Sequence, residues 1–191
     1  MTTACVYCGA STPTRREYIQ LARKLGHAMA MRKIELIYGG GATGMMGAIA
    51  NQVLESGGKV TGIIPQFLDA IEIGHRKLDQ LYVTDDMHQR KHKMAELADG
   101  FIVIPGGLGT LDEFFEILTW RQLGLHNKPI MLLDVLQFWD RLQVLIDQII
   151  ATGFAKADAA ELYTRCTTVE QALDQLQPQG RSSPGLLRPP G

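Results

Sequence analysis

At 191 residues, 46% hydrophobic and 20% charged, the chain has the size of one α/β domain and is too apolar for a disordered protein. Its 19 basic and 20 acidic side chains leave a net charge of −1, which excludes an overall electrostatic footprint for nucleic acid or an anionic membrane. No apolar run approaches the roughly 18–20 residues of a membrane span.

The N-terminal MTTACVYCGAS lacks a basic segment followed by an apolar one, so a cytoplasmic location is the expectation. Residues 5–8 read as a first strand. Cys5 and Cys8 in it point to opposite faces with Cα atoms roughly 10 Å apart. A disulfide needs about 7 Å. This C-x-x-C is therefore expected to be buried packing, not a redox or metal pair. A helix over 14–31 follows, opened by Thr14-x-x-Glu17 in the form of a capping box.

The strand 35–38 runs into Gly39-Gly40-Gly41-Ala42-Thr43-Gly44-Met45-Met46-Gly47, which opens a helix over 43–56. Gly39, Gly41 and Gly44 satisfy the dinucleotide fingerprint G-x-G-x-x-G. The acid that should follow the next strand is missing: residues 60–64 lead to Pro65 and Gln66. That disfavours NAD or FAD. It leaves two readings of the glycines, close backbone approach to a nucleotide or close packing of helix on sheet. Residues 65–80 form one long irregular connection before a strand at 81–83.

The helix 87–98 turns Met87, Met94 and Ala98 inward, and the positions that continue this face are Arg90 and Lys91. Two cations there either snorkel past the sheet edge or meet an anion at the C-terminal ends of the strands. The strand 101–104 enters Pro105-Gly106-Gly107-Leu108-Gly109-Thr110, which opens a helix over 111–123. Free N–H groups at such a turn favour phosphate, and the G-K-[ST] ending of an NTP-hydrolysing loop is absent. Glu113 has two readings. It can return to Thr110 in a capping box, or it can face a pocket with Glu116 and Trp120, opposite the stripe of Leu111, Phe114, Phe115 and Leu118.

Strands at 130–133 and 163–166 and helices at 136–152 and 169–176 complete the alternation. The pattern predicts an α/β fold, a doubly wound, mostly parallel sheet of about seven strands with helices on both faces. One domain is expected over 1–176, with a Pro/Gly-rich tail at 177–191.

The segments VYCGAS, YGGGATGMMG, MHQRKHKM, ADGFIVIPGGLGTLDE and TWRQLGLHNKP resemble the LONELY GUY (LOG) family of cytokinin-activating phosphoribohydrolases, long labelled possible lysine decarboxylases. The resemblance runs from about Val6 to Phe154, and its most specific part joins M-x-x-R-K to P-G-G-x-G-T-x-x-E; Leu108 occupies the variable slot, often tyrosine. It implies a modified Rossmann fold, a homodimer, and hydrolysis of the N-glycosidic bond of N6-substituted AMP to free base and ribose 5-phosphate. Matched by position, Arg90 and Glu113 are the catalytic pair and Lys91 accompanies Arg90. Gly106, Gly107, Leu108, Gly109 and Thr110 match the phosphate-binding loop, Leu111 and Asp112 continue the substrate-binding stretch, and Glu72 and Thr119 match further substrate contacts.

The chemistry implied needs no metal or bound cofactor. Positive charge develops at C1′ and the ring oxygen, so a carboxylate near the ribose, Glu113, stabilises the transition state or activates water. Alternatives are an AMP nucleosidase and a non-catalytic nucleotide or molybdenum-cofactor carrier. A pyridoxal-phosphate decarboxylase would need a lysine in a Schiff-base setting, and none stands out.

Overall fold

Short apolar strands separated by helices can pair in parallel only through crossovers that cover both sheet faces. The computed structural model describes residues 2–69, 74–75 and 77–176. Among these, β1 (Thr3–Tyr7), β2 (Glu35–Tyr38), β3 (Val60–Pro65), β4 (Gln80–Thr84), β5 (Gly100–Val103), β6 (Ile130–Leu133) and β7 (Thr164–Cys166) form one sheet. Their order is β4-β3-β2-β1-β5-β6-β7, and every pairing is parallel. The fold is Rossmann-like and doubly wound, as the alternation of elements predicts.

Helices α1 (Arg16–Met31), α2 (Gly44–Glu55) and α7 (Val169–Asp174) cover one face. Helices α4 (Met87–Leu97), α5 (Leu108–Gln122) and α6 (Asp140–Ala151) cover the other, and α3 (Gln66–Asp69) is one turn after β3. The central strand β1 is buried on both sides, so its residues read as a continuous apolar run. Cys5 packs in the α4–α6 core and Cys8 in the α1–α2 core, the opposite faces that their spacing predicts. All three cysteines are free and buried. No described helix is long and apolar enough to cross a membrane.

Three helix starts differ from the sequence expectation. Arg15, not Thr14, is the residue before α1, and no side chain caps it. Helix α5 begins at Leu108 rather than 111, after Gly107, with the Leu111 N–H already donating to the Gly107 carbonyl at 3.2 Å. Thr110 and Glu113 then both lie inside the helix. Neither the Thr14–Glu17 nor the Thr110–Glu113 capping box is formed. The devices present are Asp86, which accepts the Gln89 N–H at 2.8 Å to start α4, and a Thr168–Gln171 box on α7. Helix α6 starts at Asp140 because Leu136 and Gln137 both adopt φ of 57°. Trp139 anchors that turn, its indole N–H donating to the Leu133 carbonyl at 3.2 Å.

The chain steps outward from β1 through β2 to β4, then returns to the other side of β1 as β5. The switch in strand order falls between β1 and β5, and a crevice lies there at the C-terminal ends of the strands, where open α/β sheets bind ligands. The glycine-rich turn after β2 docks beside it. Gly44 has φ of +60°, and a Cβ on it would lie 2.2 Å from the Ala10 carbonyl oxygen. The next residue, Met45, donates its N–H to the Gly9 carbonyl at 3.2 Å. Gly47 is equally confined, its Cβ position 2.1 Å from the Ala42 oxygen. At these two positions packing accounts for the glycine. Replacing Gly44 by Ala combines a left-handed backbone with overlap against main chain, and is expected to cost roughly 2–4 kcal/mol, read as a lower midpoint in chemical denaturation.

Candidate active site

The crevice holds a cavity of about 470 Å³, within the usual range for small-molecule sites. Val6, Cys8 and the loop Gly9–Ser11 come from the β1 end, Gly39 from the β2 end, and Gly106, Gly107, Gly109, Thr110 and Glu113 from the β5–α5 junction. Arg90, Met87 and Met94 enter from α4. The β1 and β5 loops are laced together by the Gly9 N–H donating to the Pro105 carbonyl at 3.3 Å.

The glycines of the second turn divide by role. A Cβ on Gly106 would lie 2.1 Å from Thr110 Oγ1, so packing demands that glycine. A Cβ on Gly107 or Gly109 would meet nothing within 4 Å among the described residues. Those two leave the N-terminal N–H groups of α5 uncovered, and such groups attract an anion.

Glu113 sits in the second turn of α5, 8% exposed. Burial raises its pKa from the ordinary 4.5 to about 7. Arg90 and Lys91 oppose the rise, while Asp112 and Glu116 reinforce it. Arg90 is 6% exposed and carries five N–H donors. Its Nη2 donates to the Gly39 carbonyl at 3.2 Å, its Nη1 lies 3.7 Å from Met87 Sδ, and its buried Nε has no hydrogen-bond partner among the described residues. The guanidinium thus keeps donors and charge to offer a ligand.

Lys91 has a different fate. Its Nζ lies 3.0 Å from Asp112 and 3.1 Å from Glu116, and the three tie α4 to α5. Burial disfavours the lysine's charge, but the two carboxylates more than offset it, and its pKa is raised. Neither Lys91 nor Asp112 lines the cavity. Leu108, 86% exposed, and Leu111 do not line it either, and Thr119 is exposed farther along α5. Glu72 lies outside the described residues. The structure therefore gathers Arg90, Glu113, Gly106, Gly107, Gly109 and Thr110 around one space and places the other described candidates beside it.

Sequence reasoning missed part of the wall. Four of the eight methionines, Met45, Met46, Met87 and Met94, line the cavity, as do Tyr18 and Phe138, whose rings meet edge to face with centroids 5.6 Å apart. The spacing of Met87 and Met94 marks an inward face, but nothing in it distinguishes core from cavity. Trp120 and Glu116 wall a second, more open groove of about 530 Å³ with His88, His92, Tyr82 and Val83.

The fold and site together define a Rossmann-like α/β protein with a switch-point cavity lined by a buried guanidinium and the N-terminus of a helix. The family model described as "Possible lysine decarboxylase" matches residues 46–176, and the chain belongs to that family, the LOG family. It is 46% identical over 169 residues to the cytokinin riboside 5′-monophosphate phosphoribohydrolase of Rhodococcoides fascians, covering 88% of this chain and 85% of that protein. Among solved structures, the Moco carrier protein of Chlamydomonas reinhardtii superposes with a TM-score of 0.69 at 21% identity, covering 92% of this chain and 96% of the other. TM1055, a structural-genomics target, gives 0.68 at 29% identity over 91% and 97%.

Glu113 also sets a pH dependence of stability. Its carboxyl binds a proton more tightly folded than unfolded, so it costs nothing below about pH 4.5 and progressively more as pH rises, with the full cost above about 7. Glu113→Gln is therefore expected to stabilise the fold by about 3 kcal/mol at pH 8 and to have little effect at pH 4. Denaturant titrations at the two pH values check this.

Proposed function

We propose that this chain hydrolyses the N-glycosidic bond of N6-modified adenosine 5′-monophosphate, releasing the free base and ribose 5-phosphate. The observation that carries the reading is Glu113, a buried carboxyl held near pH 7 beside the Arg90 charge, one turn inside a helix whose N-terminus is open to an anion. The name of the relative from Rhodococcoides fascians supports it.

The substrate phosphate rests on the uncovered N–H groups at Gly107–Gly109, aided by the positive end of the α5 dipole. Like charges keep Glu113 off the phosphate, so its carboxylate turns to the sugar. There it stabilises positive charge developing at C1′ and the ring oxygen, or takes a proton from the attacking water. A pKa near 7 makes it a far better base at neutral pH than an ordinary glutamate, while leaving much of it ionised. Arg90 orients the nucleotide and takes up negative charge. The methionines and the Tyr18–Phe138 pair give the base and its N6 substituent a polarisable, adaptable wall.

The reading includes a homodimer and a cytoplasmic location. Support for the first is the exposed groove around Trp120 and Val83, the latter 55% exposed; for the second, three free cysteines. In this reading Lys91 and Asp112 act from behind the cavity, through the α4–α5 ion pairs.

Incubation with isopentenyladenosine monophosphate and with AMP, followed by quantification of base and ribose 5-phosphate, tests the proposal. Release from the prenylated nucleotide is expected, falling as pH drops through about 7 because the carboxylate is the working form. Glu113→Gln is expected to lower kcat by about a thousandfold or more while keeping the fold. Release from neither nucleotide overturns the assignment; an active Glu113→Gln overturns the role of the carboxylate.

A further inference from the structure

The first glycine of the G-x-G-x-x-G turn is not explained by its backbone. Gly39 has no left-handed φ, and its surroundings are side-chain tips: a Cβ there would lie 1.9 Å from Arg90 Nη2, 3.1 Å from Arg90 Cζ and 3.1 Å from Met46 Sδ. Gly44 and Gly47, by contrast, are confined by backbone. The missing side chain of Gly39 is the space that the guanidinium occupies, and its carbonyl accepts the Nη2 hydrogen bond. One helical turn before Arg90, the Met87 thioether lies against Nη1.

We infer that Gly39 and Met87 are positioning residues for the reaction proposed above, forming an uncharged seat that holds Arg90 in the cavity without neutralising it. The chemistry of the seat is the point. A carboxylate partner would hold a guanidinium more firmly, but it would satisfy the charge and engage the donors that the substrate needs. A carbonyl and a thioether fix the direction of the group and leave its charge whole. The neighbouring residue supplies the contrast: Lys91, on the same helix, is paired with two carboxylates and serves packing. On this view Gly39 accommodates an arginine, which is why the fingerprint is present without the acid that a dinucleotide would require.

The inference rests on the proposed phosphoribohydrolase reading, and a mutant cycle separates the two. Because Gly39 faces movable side-chain ends, Gly39→Ala is expected to fold and to push Arg90 aside. Displacement of about 1 Å in a catalytic group costs on the order of 100-fold, so kcat/KM is expected to fall roughly ten- to a hundredfold. Met87→Leu, which keeps the bulk and removes the sulfur, is expected to give a smaller loss in the same direction.

In the Arg90→Ala background, Gly39→Ala is expected to add less than about twofold. A second readout is the acid limb of the pH profile. Among the described residues, the charged and titratable groups around Glu113 are Arg90 and Lys91 on α4, Asp112 and Glu116 on α5, and Cys5, Tyr7 and Cys8 at β1. Only Arg90 moves in Gly39→Ala, so the limb is expected to shift to higher pH.

Wild-type kcat/KM and an unmoved limb in Gly39→Ala would overturn the inference. So would a loss that persists undiminished without Arg90, since Gly39 would then act by another route. If the wild-type protein releases no base, the function is wrong but the seat is still tested: AMP affinity by calorimetry should weaken about tenfold or more in Gly39→Ala and be unaffected by that change when Arg90 is already absent.

Discussion

Arg90 and Glu113 are each less than a tenth exposed, share one cavity, and are joined by no direct ion pair among the described residues. Burying two ionisable groups without pairing them directly is expensive, and much of the local architecture manages that cost. The carboxyl meets it by holding its proton up to about pH 7. The guanidinium meets it with neutral acceptors, the Gly39 carbonyl and the Met87 sulfur. Ionisable groups perturbed by burial cluster at functional sites.

The topology explains how two groups from distant parts of the chain come together. Reversal of strand order at β1 opens the crevice, and α4 and α5, on one face of the sheet, each deliver one of the pair into it. The Lys91 ion pairs with Asp112 and Glu116 then set the separation of the two helices. A cation that sequence matching groups with substrate contacts here braces the two helices that carry Arg90 and Glu113. On the other side, Gly44 lets the start of α2 settle against the β1 loop and Gly47 lets the preceding turn fold tightly onto α2, with Gly39 at the cavity wall.

Much of this is legible in the sequence, for identifiable reasons. Strands β2, β3, β5 and β6 are apolar runs with a glycine or proline at or beside one end, and the inward face of α4 betrays Arg90 and Lys91 because cations interrupt an otherwise apolar stripe. Which cation reaches the cavity is not legible, since that depends on Asp112 and Glu116 of another helix. The start of α5 is misplaced because glycines at 107 and 109 resemble a turn, although the backbone is already helical from Leu108. That error makes a capping box out of Thr110 and Glu113. Leu136 and Gln137 look helical by composition, and their left-handed turn is imposed by the anchoring of Trp139. Gly39 is visible as a fingerprint glycine, but the side chain that fills its missing volume lies 51 residues away.

The cavity holds Glu113 as a carboxyl with a proton affinity well above that of an ordinary glutamate. Site-resolved carbon NMR of the side-chain carboxyl in the free protein, titrated from pH 4 to pH 9 and assigned with Glu113→Gln, measures this directly. A midpoint of about 7 is expected. A midpoint at the ordinary value of 4.5 would show a solvated or ion-paired carboxylate and contradict the account.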